Sequence, residues 1–164
     1  WNYKWMRYIL QTILFFIIDY TFAEDYVLQF QAKVKNLREF NISATEKFRS
    51  YELEGTFTDN FANYGKSNSI IVSDIKDGKI LRLEGTNETI FSNNEKFYGK
   101  ALREKSDIDA GIANILIVGA TKKLKPLIGT KCIVSVKYFE DAIFGMQKCA
   151  LSERLSDILK NNTN

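Results

Sequence analysis

The stretch ILIVGATKKLKPLIGTKCIVSVKYF, residues 115–139, consists of two apolar runs separated by a basic break. The break holds Lys122, Lys123, Lys125 and Pro126, the only proline of the chain. Proline has no N–H to give a central sheet ladder, so Pro126 belongs in a connection or at a strand edge. Lysines this close together are costly to bury and natural on an exposed tip. The second run is β-branched at Ile133, Val134 and Val136, which suits a strand. Ile112–Gly119 and Thr130–Phe139 are therefore expected to be adjacent antiparallel strands joined by Thr121–Gly129. The first run is continuously apolar, which reads as a strand buried on both faces.

Upstream, the same period recurs. In YVLQFQAKVK, Tyr26, Leu28, Phe30, Ala32 and Val34 share one face, and Gln29, Gln31, Lys33 and Lys35 the other. That is a half-buried strand. Asn36–Lys47 is polar and reads as a loop or a short helical turn. In SYELEGTFT, Tyr51, Leu53 and Phe57 alternate with polar residues. Ser69–Ile75 and Lys79–Glu84 flank Asp77-Gly78, the pair a type I′ hairpin turn wants. Thr89–Phe91 and Lys96–Arg103 flank Asn93-Asn94 as a second hairpin. LEGT occurs at Leu53–Thr56 and again at Leu83–Thr86, read as two turn approaches rather than a repeat. About eight strands joined by short turns predict a closed antiparallel β-barrel or two packed sheets, and closure removes the exposed edges.

The tail reads differently. Ile143, Met146, Ala150, Leu151, Leu155, Ile158 and Leu159 fall at three-and-four spacing, so Asp141–Lys160 is expected to be an amphipathic helix docked on the barrel. A helix that binds a partner or a membrane surface is the alternative.

The first residues read as a processing segment. Lys4 and Arg7 precede the apolar run Ile9–Ile18, and Thr21-Phe22-Ala23 offers a small-x-small cleavage site before Glu24. Met6 is the expected start, with Trp1–Trp5 upstream of it. The expected organisation is then 1–23 upstream residues plus signal peptide, 24–140 barrel, and 141–164 helix and tail. Export places the chain in an oxidising, extracellular setting. Its two cysteines, Cys132 and Cys149, can form one disulfide there with no thiol left over. Export also gives meaning to the N-x-S/T sequons at Asn41, Asn87 and Asn161. No span of the bilayer is expected after cleavage.

The composition limits the chemistry. The chain has no histidine, which removes Ser-His-Asp and Cys-His nucleophile systems and imidazole zinc sites. No phosphate-binding glycine loop occurs, and no cofactor is implied. The net charge of +3 is spread among interspersed acids and bases, so no nucleic-acid partner is implied. Asp, Glu, Lys, Arg and Tyr remain. Asp107 and Asp109 share one loop, but no EF-hand surrounds them.

The sequence from Ile117, IVGATKKLKPLIGTKCIV, resembles the C-terminal signature of the dirigent proteins. Val118-Gly119-Ala120-Thr121 stands where that family has V-G-G-T. FSNNEKFYGKAL at 91–102 and SDIKDG at 73–78 are similar to two further dirigent stretches. The resemblance implies the dirigent-like and allene oxide cyclase-like β-barrel superfamily. Dirigent members are secreted, glycosylated, eight-stranded barrels, often oligomeric, that steer the coupling or cyclisation of phenolic intermediates. By spacing, the cavity Asp of the family falls at Ser106, beside Asp107, and its Arg at Ala113, beside Asn114. An early acidic pair falls at Asp59-Asn60. Lipocalins share the length and the architecture, but their G-x-W is absent.

The expected function is a secreted barrel that binds a small, mostly apolar or phenolic ligand in its interior, without catalysis. Tyr26, Phe30, Tyr51 and Phe57 would line it, and Asp59, Tyr98 or Asp107 would orient the ligand from the rim. The alternative is an interaction protein that presents the lysine-rich hairpin or the C-terminal helix to a glycan or protein partner. The third reading is a cyclase or isomerase that uses carboxylates or Tyr.

Overall fold

The computed structural model describes residues 24–163. Eight antiparallel strands follow one another around a closed barrel. They are β1 (Glu24–Asn41), β2 (Glu46–Asp59), β3 (Tyr64–Lys76), β4 (Lys79–Phe91), β5 (Lys96–Asp107), β6 (Ala110–Ala120), β7 (Lys131–Phe139) and β8 (Ala142–Leu151). One α-helix, α1 (Glu153–Lys160), follows β8, with a 3₁₀ turn at Asn161–Thr163 after it. Each strand pairs with its sequence neighbours, and β8 pairs with β1 from Leu151↔Glu24 to Ala142↔Lys33.

The strand count agrees with expectation, but its composition does not. Lys79–Glu84 and Thr89–Phe91 are parts of one strand, β4. The eighth strand is Ala142–Leu151, which helical spacing had assigned to a helix. In β8 the buried residues are Ile143, Gln147, Cys149 and Leu151, while Phe144, Met146, Lys148 and Ala150 face out. A buried glutamine and two exposed large apolar side chains hide the period of two. The barrel therefore ends at Leu151 rather than near Glu140, and only Glu153–Lys160 is helical. α1 does dock, burying Ser156 and Leu159.

Three further expectations are corrected. Asn36–Asn41 extends β1, and Glu46–Lys47 opens β2, with Ser43 Oγ accepting from the N–H groups of Thr45 and Glu46 in the turn. That hairpin overhangs the barrel and is wet on both sides, so nothing imposes alternation on it. Both LEGT sequences lie within strands, β2 and β4, not at turns. Finally, β6 is buried on one face only. Ala113, Ile115 and Ile117 face in, while Ile112 is 66% exposed.

The opening stretch is otherwise as read. β6 and β7 pair from Ala110↔Lys137 to Leu116↔Lys131. Between them Lys122–Leu127 forms a 3₁₀ helix containing Pro126. Leu124 and Leu127 are buried by it, and Lys122, Lys123 and Lys125 point out. Asp77 and Gly78 have φ of 50° and 74°, as a type I′ turn requires.

Cys132 and Cys149 form the disulfide, as expected. Because Cys149 lies on β8, the bridge joins two neighbouring strands, Cys132 directly opposite Cys149, and not a strand and a helix.

The inward side chains make two apolar clusters. One contains Tyr26, Phe57, Phe91, Phe97, Leu124, Leu127, Cys132 and Leu159. The 3₁₀ helix and α1 sit on that end as a plug. The other contains Tyr51, Leu53, Ile71, Ile75, Ile80, Leu83 and Ile143, at the end where four tight turns meet.

Candidate functional site

A cavity of about 80 Å³ lies between the two clusters. Its apolar wall includes Phe30, Leu53, Ile71, Leu83, Ala101 and Ile143. Its polar groups are Asn87, Thr89, Arg103, Tyr138 and Gln147, with Ser67 and Ser69. A wider recess of about 370 Å³, the candidate mouth, lies at the turn end, lined by Val34, Arg49, Tyr51, Ser73 and Tyr138, with Asp109, Glu140 and Asp141 on its rim. Tyr138 belongs to both walls.

Tyr138 is joined to Tyr51, in the wall of the recess, by a hydroxyl–hydroxyl hydrogen bond of 2.6 Å. Each comes from an inward position, Tyr51 on β2 and Tyr138 on β7 two residues beyond Val136. Burial is the main cause that raises both phenol pKa values, and the positive charge of Arg103 acts against it. Both therefore stay protonated at neutral pH. One O–H is spent on the pair, and the other is left to donate.

Arg103 follows Phe97, Gly99 and Ala101 on the inward face of β5. It is only 2% exposed. Its Nε donates to Ser106 Oγ at 2.6 Å, and its Nη2 donates to the carbonyls of Asp107 and, at 2.5 Å, Ala110. The ladder between β5 and β6 ends at Leu102↔Asn114, and the guanidinium spans the gap beyond it. The guanidinium lies against Gly111, where a Cβ would sit 2.2 Å from Nε, so any larger residue would displace it. Among the described residues Arg103 has no carboxylate within ion-pair distance. Burial lowers its pKa, the tyrosines and Asp107 partly oppose this, and a guanidinium still remains charged.

The seven residues singled out from the sequence separate into groups. Tyr26, Phe30, Tyr51 and Phe57 do face inward. Only Phe30 and Tyr51 reach the cavity or its mouth; the ring of Phe30 occupies the space a Cβ on Gly145 would need. Tyr26 and Phe57 are packed in the plugged cluster. Burial, and then the Asp59 carboxylate, hold the Tyr26 phenol protonated.

Asp59 is a structural residue and not a rim group. Its Oδ1 accepts from the N–H groups of Phe61 and Asn63 at 2.9 and 2.8 Å. Asn63 in turn donates to the Leu159 carbonyl at 3.0 Å, tying the β2–β3 turn to α1. Tyr98 lies on the outer surface, its hydroxyl donating to Glu88 at 3.2 Å. The hydrogen bond from Lys96 holds that carboxyl below its usual range. Asp107 is exposed and reaches the interior only through its carbonyl. It builds no cation site with Asp109, and no cluster of three or more metal-ligating side chains exists among the described residues.

Of the sequons, Asn41 and Asn161 are exposed. Asn87 is half-buried. Its side chain faces the cavity, with Oδ1 buried and unpaired among the described residues. The processing segment lies outside the described residues. No described helix is long and apolar enough to cross a membrane, which says nothing of strands.

Arg103 and Tyr138 escaped the sequence reading. Arg103 sits in LREKS, which looks like a solvated edge, and Tyr138 in KYFED, which looks like a turn. Alternation from Phe97 and from Cys132 was the available signal for each.

No protein-family model matches the chain, and no curated protein matches it. Among solved structures it is similar to an enzyme from Penicillium herquei, at a TM-score of 0.59 and 11% identity, over 77% of this chain and 94% of that one. At that identity the likeness shows the fold alone.

Proposed function

We propose that the protein is a secreted barrel that takes up a small, mostly apolar molecule through the turn end and holds it between the two apolar clusters. The observation that carries this is the cavity itself, an apolar chamber with a few polar groups behind a wider mouth. Concave apolar sites with a few fixed polar groups are the usual form of small-molecule sites. Secretion is supported by the leader-like first residues and by the disulfide. The dirigent-like motifs support the same reading.

A neutral probe of this size, 1-hexanol, tests it. Saturation-transfer NMR is expected to show contact with the wild-type protein. Ala101→Phe, which fills the chamber from β5, is expected to remove that contact. An unchanged signal in a folded Ala101→Phe protein would place the binding elsewhere.

The Tyr51–Tyr138 pair favours a second reading, a cyclase or isomerase. A protonated pair beside a cation can donate a hydrogen bond to an oxygen that gains negative charge during reaction. The test is turnover of a phenolic or enone substrate in the wild type and its loss in Tyr138→Phe.

A further inference from the structure

The polar groups around the chamber are not equivalent. At the plugged end, away from the chamber, Asp59 accepts from Asn63, and Asn63 and Asn93 donate to the backbone carbonyls of Leu159 and Asn162. Arg103 alone brings a full charge to the chamber wall. A charge buried without a counter-charge is costly, and folded proteins retain one when something compensates it. The compensation visible for Arg103 is neutral: one hydroxyl and two carbonyls, reached through Nε and Nη2. Nη1 makes no hydrogen bond among the described residues. Nor is Nη1 among the sealed, unpaired polar atoms of the interior. A guanidinium has five N–H donors; three are spent on these bonds, and the two on Nη1 remain to donate a charge-assisted hydrogen bond to a carboxylate.

From this we infer that Arg103 is an anion subsite, and that the interior ligand is a small apolar carboxylic acid whose carboxylate meets Arg103 while its chain lies among Leu53, Ile71, Leu83 and Ile143. The Tyr51–Tyr138 pair, with one O–H left to donate, stands at the entrance such an acid would pass. Gly111 belongs to the subsite because it gives the guanidinium its seat. The inference rests on the interior-ligand reading and adds the charge of the ligand to it.

The competing explanation is that Arg103 only seals the gap between β5 and β6. Calorimetric titration with three probes of equal chain length, hexanoate, 1-hexanol and hexylamine, separates the two. In the wild type hexanoate is expected to bind at least about tenfold more tightly than 1-hexanol, the advantage of a charge-assisted hydrogen bond, and hexylamine more weakly than either. Arg103→Gln should reduce hexanoate to the level of 1-hexanol and leave 1-hexanol unchanged. Arg103→Lys keeps the charge and should keep the preference for the acid. Equal binding of hexanoate and 1-hexanol by the wild type overturns the subsite without any need for a folded variant. A preference that survives Arg103→Gln overturns it too, since it would belong to surface lysines. If none of the three binds, the interior-ligand reading fails and the subsite with it; if only the neutral alcohol binds, the subsite alone fails.

Discussion

The two ends of the barrel are built from the same strands but solve opposite problems. At the plugged end Phe97, Leu124, Leu127 and Leu159 are at most 1% exposed, and Asp59 and Asn63 tie the β2–β3 turn to α1, although Tyr26 Oη, Asn63 Oδ1, Ser156 Oγ and Asn162 Nδ2 are buried there without a partner among the described residues. At the turn end Val34 and Tyr138 are half-buried, Ser73 Oγ is buried and unpaired among the described residues, and an arginine is buried without a counter-charge. Dense packing stabilises, and a buried charge without a counter-charge costs stability. Dense apolar packing is thus concentrated at one end, and the uncompensated buried charge lies toward the other, where a ligand would enter.

The sharpest way to break this contrast is at the plug. Phe97 is fully buried and packs against Phe91 with ring centroids 5.8 Å apart. Phe97→Ala is expected to cost roughly 3–5 kcal/mol, measured by urea unfolding. A loss below about 1 kcal/mol, the level of an ordinary substitution, would mean that the plug does not hold the barrel together.

The disulfide comes next. It spans a separation of 17 residues and ties β7 to β8 under the plug. Reduction is expected to lower stability by about 3 kcal/mol on a loop-entropy argument, read from unfolding curves with and without a reductant. A midpoint that does not move would show that the two strands are already fixed by their ladder.

At the turn end the expected cost is smaller. Tyr138→Phe removes the hydroxyl pair with Tyr51 and should cost about 0.5–1.5 kcal/mol, the net value of one hydrogen bond. A cost above about 3 kcal/mol would make the pair part of the load the plug carries, and the contrast between the ends would disappear.

The contrast also explains what could be read from the sequence. At the plugged end and along the walls, burial on one face forces alternation, so Tyr26 to Val34 and the second run of the opening stretch were legible, while exposed Ile112, Leu116 and Val118 hid the alternation of the first. Alternation failed where its cause was missing. The β1–β2 overhang has no buried face, and β8 has a buried Gln147 and an exposed Phe144 and Met146. The site suffered most, because a polar residue that faces inward looks like a surface residue in sequence. Arg103, Asn87 and Gln147 are all of this kind. Of the acids chosen as rim groups, Asp59 serves a turn, and a turn is the more common use of aspartate.

The smallest effect tests the plug against itself. The 3₁₀ helix Lys122–Leu127 has an inner side, Leu124 and Leu127, and an outer side, Lys122, Lys123 and Lys125. If the plug works only by burial, its outer side should be energetically silent. Lys123 is exposed and its side chain makes no ion pair among the described residues; only its backbone N–H is engaged, by Glu95 at 3.3 Å. That contact survives any substitution except proline. Lys123→Ala is therefore expected to leave stability within about 0.5 kcal/mol of the wild type, as for an ordinary surface site. Hexanol binding should not change either, because the chamber lies on the far side of Leu124 and Leu127. A loss well above 0.5 kcal/mol would mean that the lysine stem packs on the barrel, and a loss of binding to a polyanion such as heparin, with the fold intact, would make the outer side of the plug a contact surface in its own right.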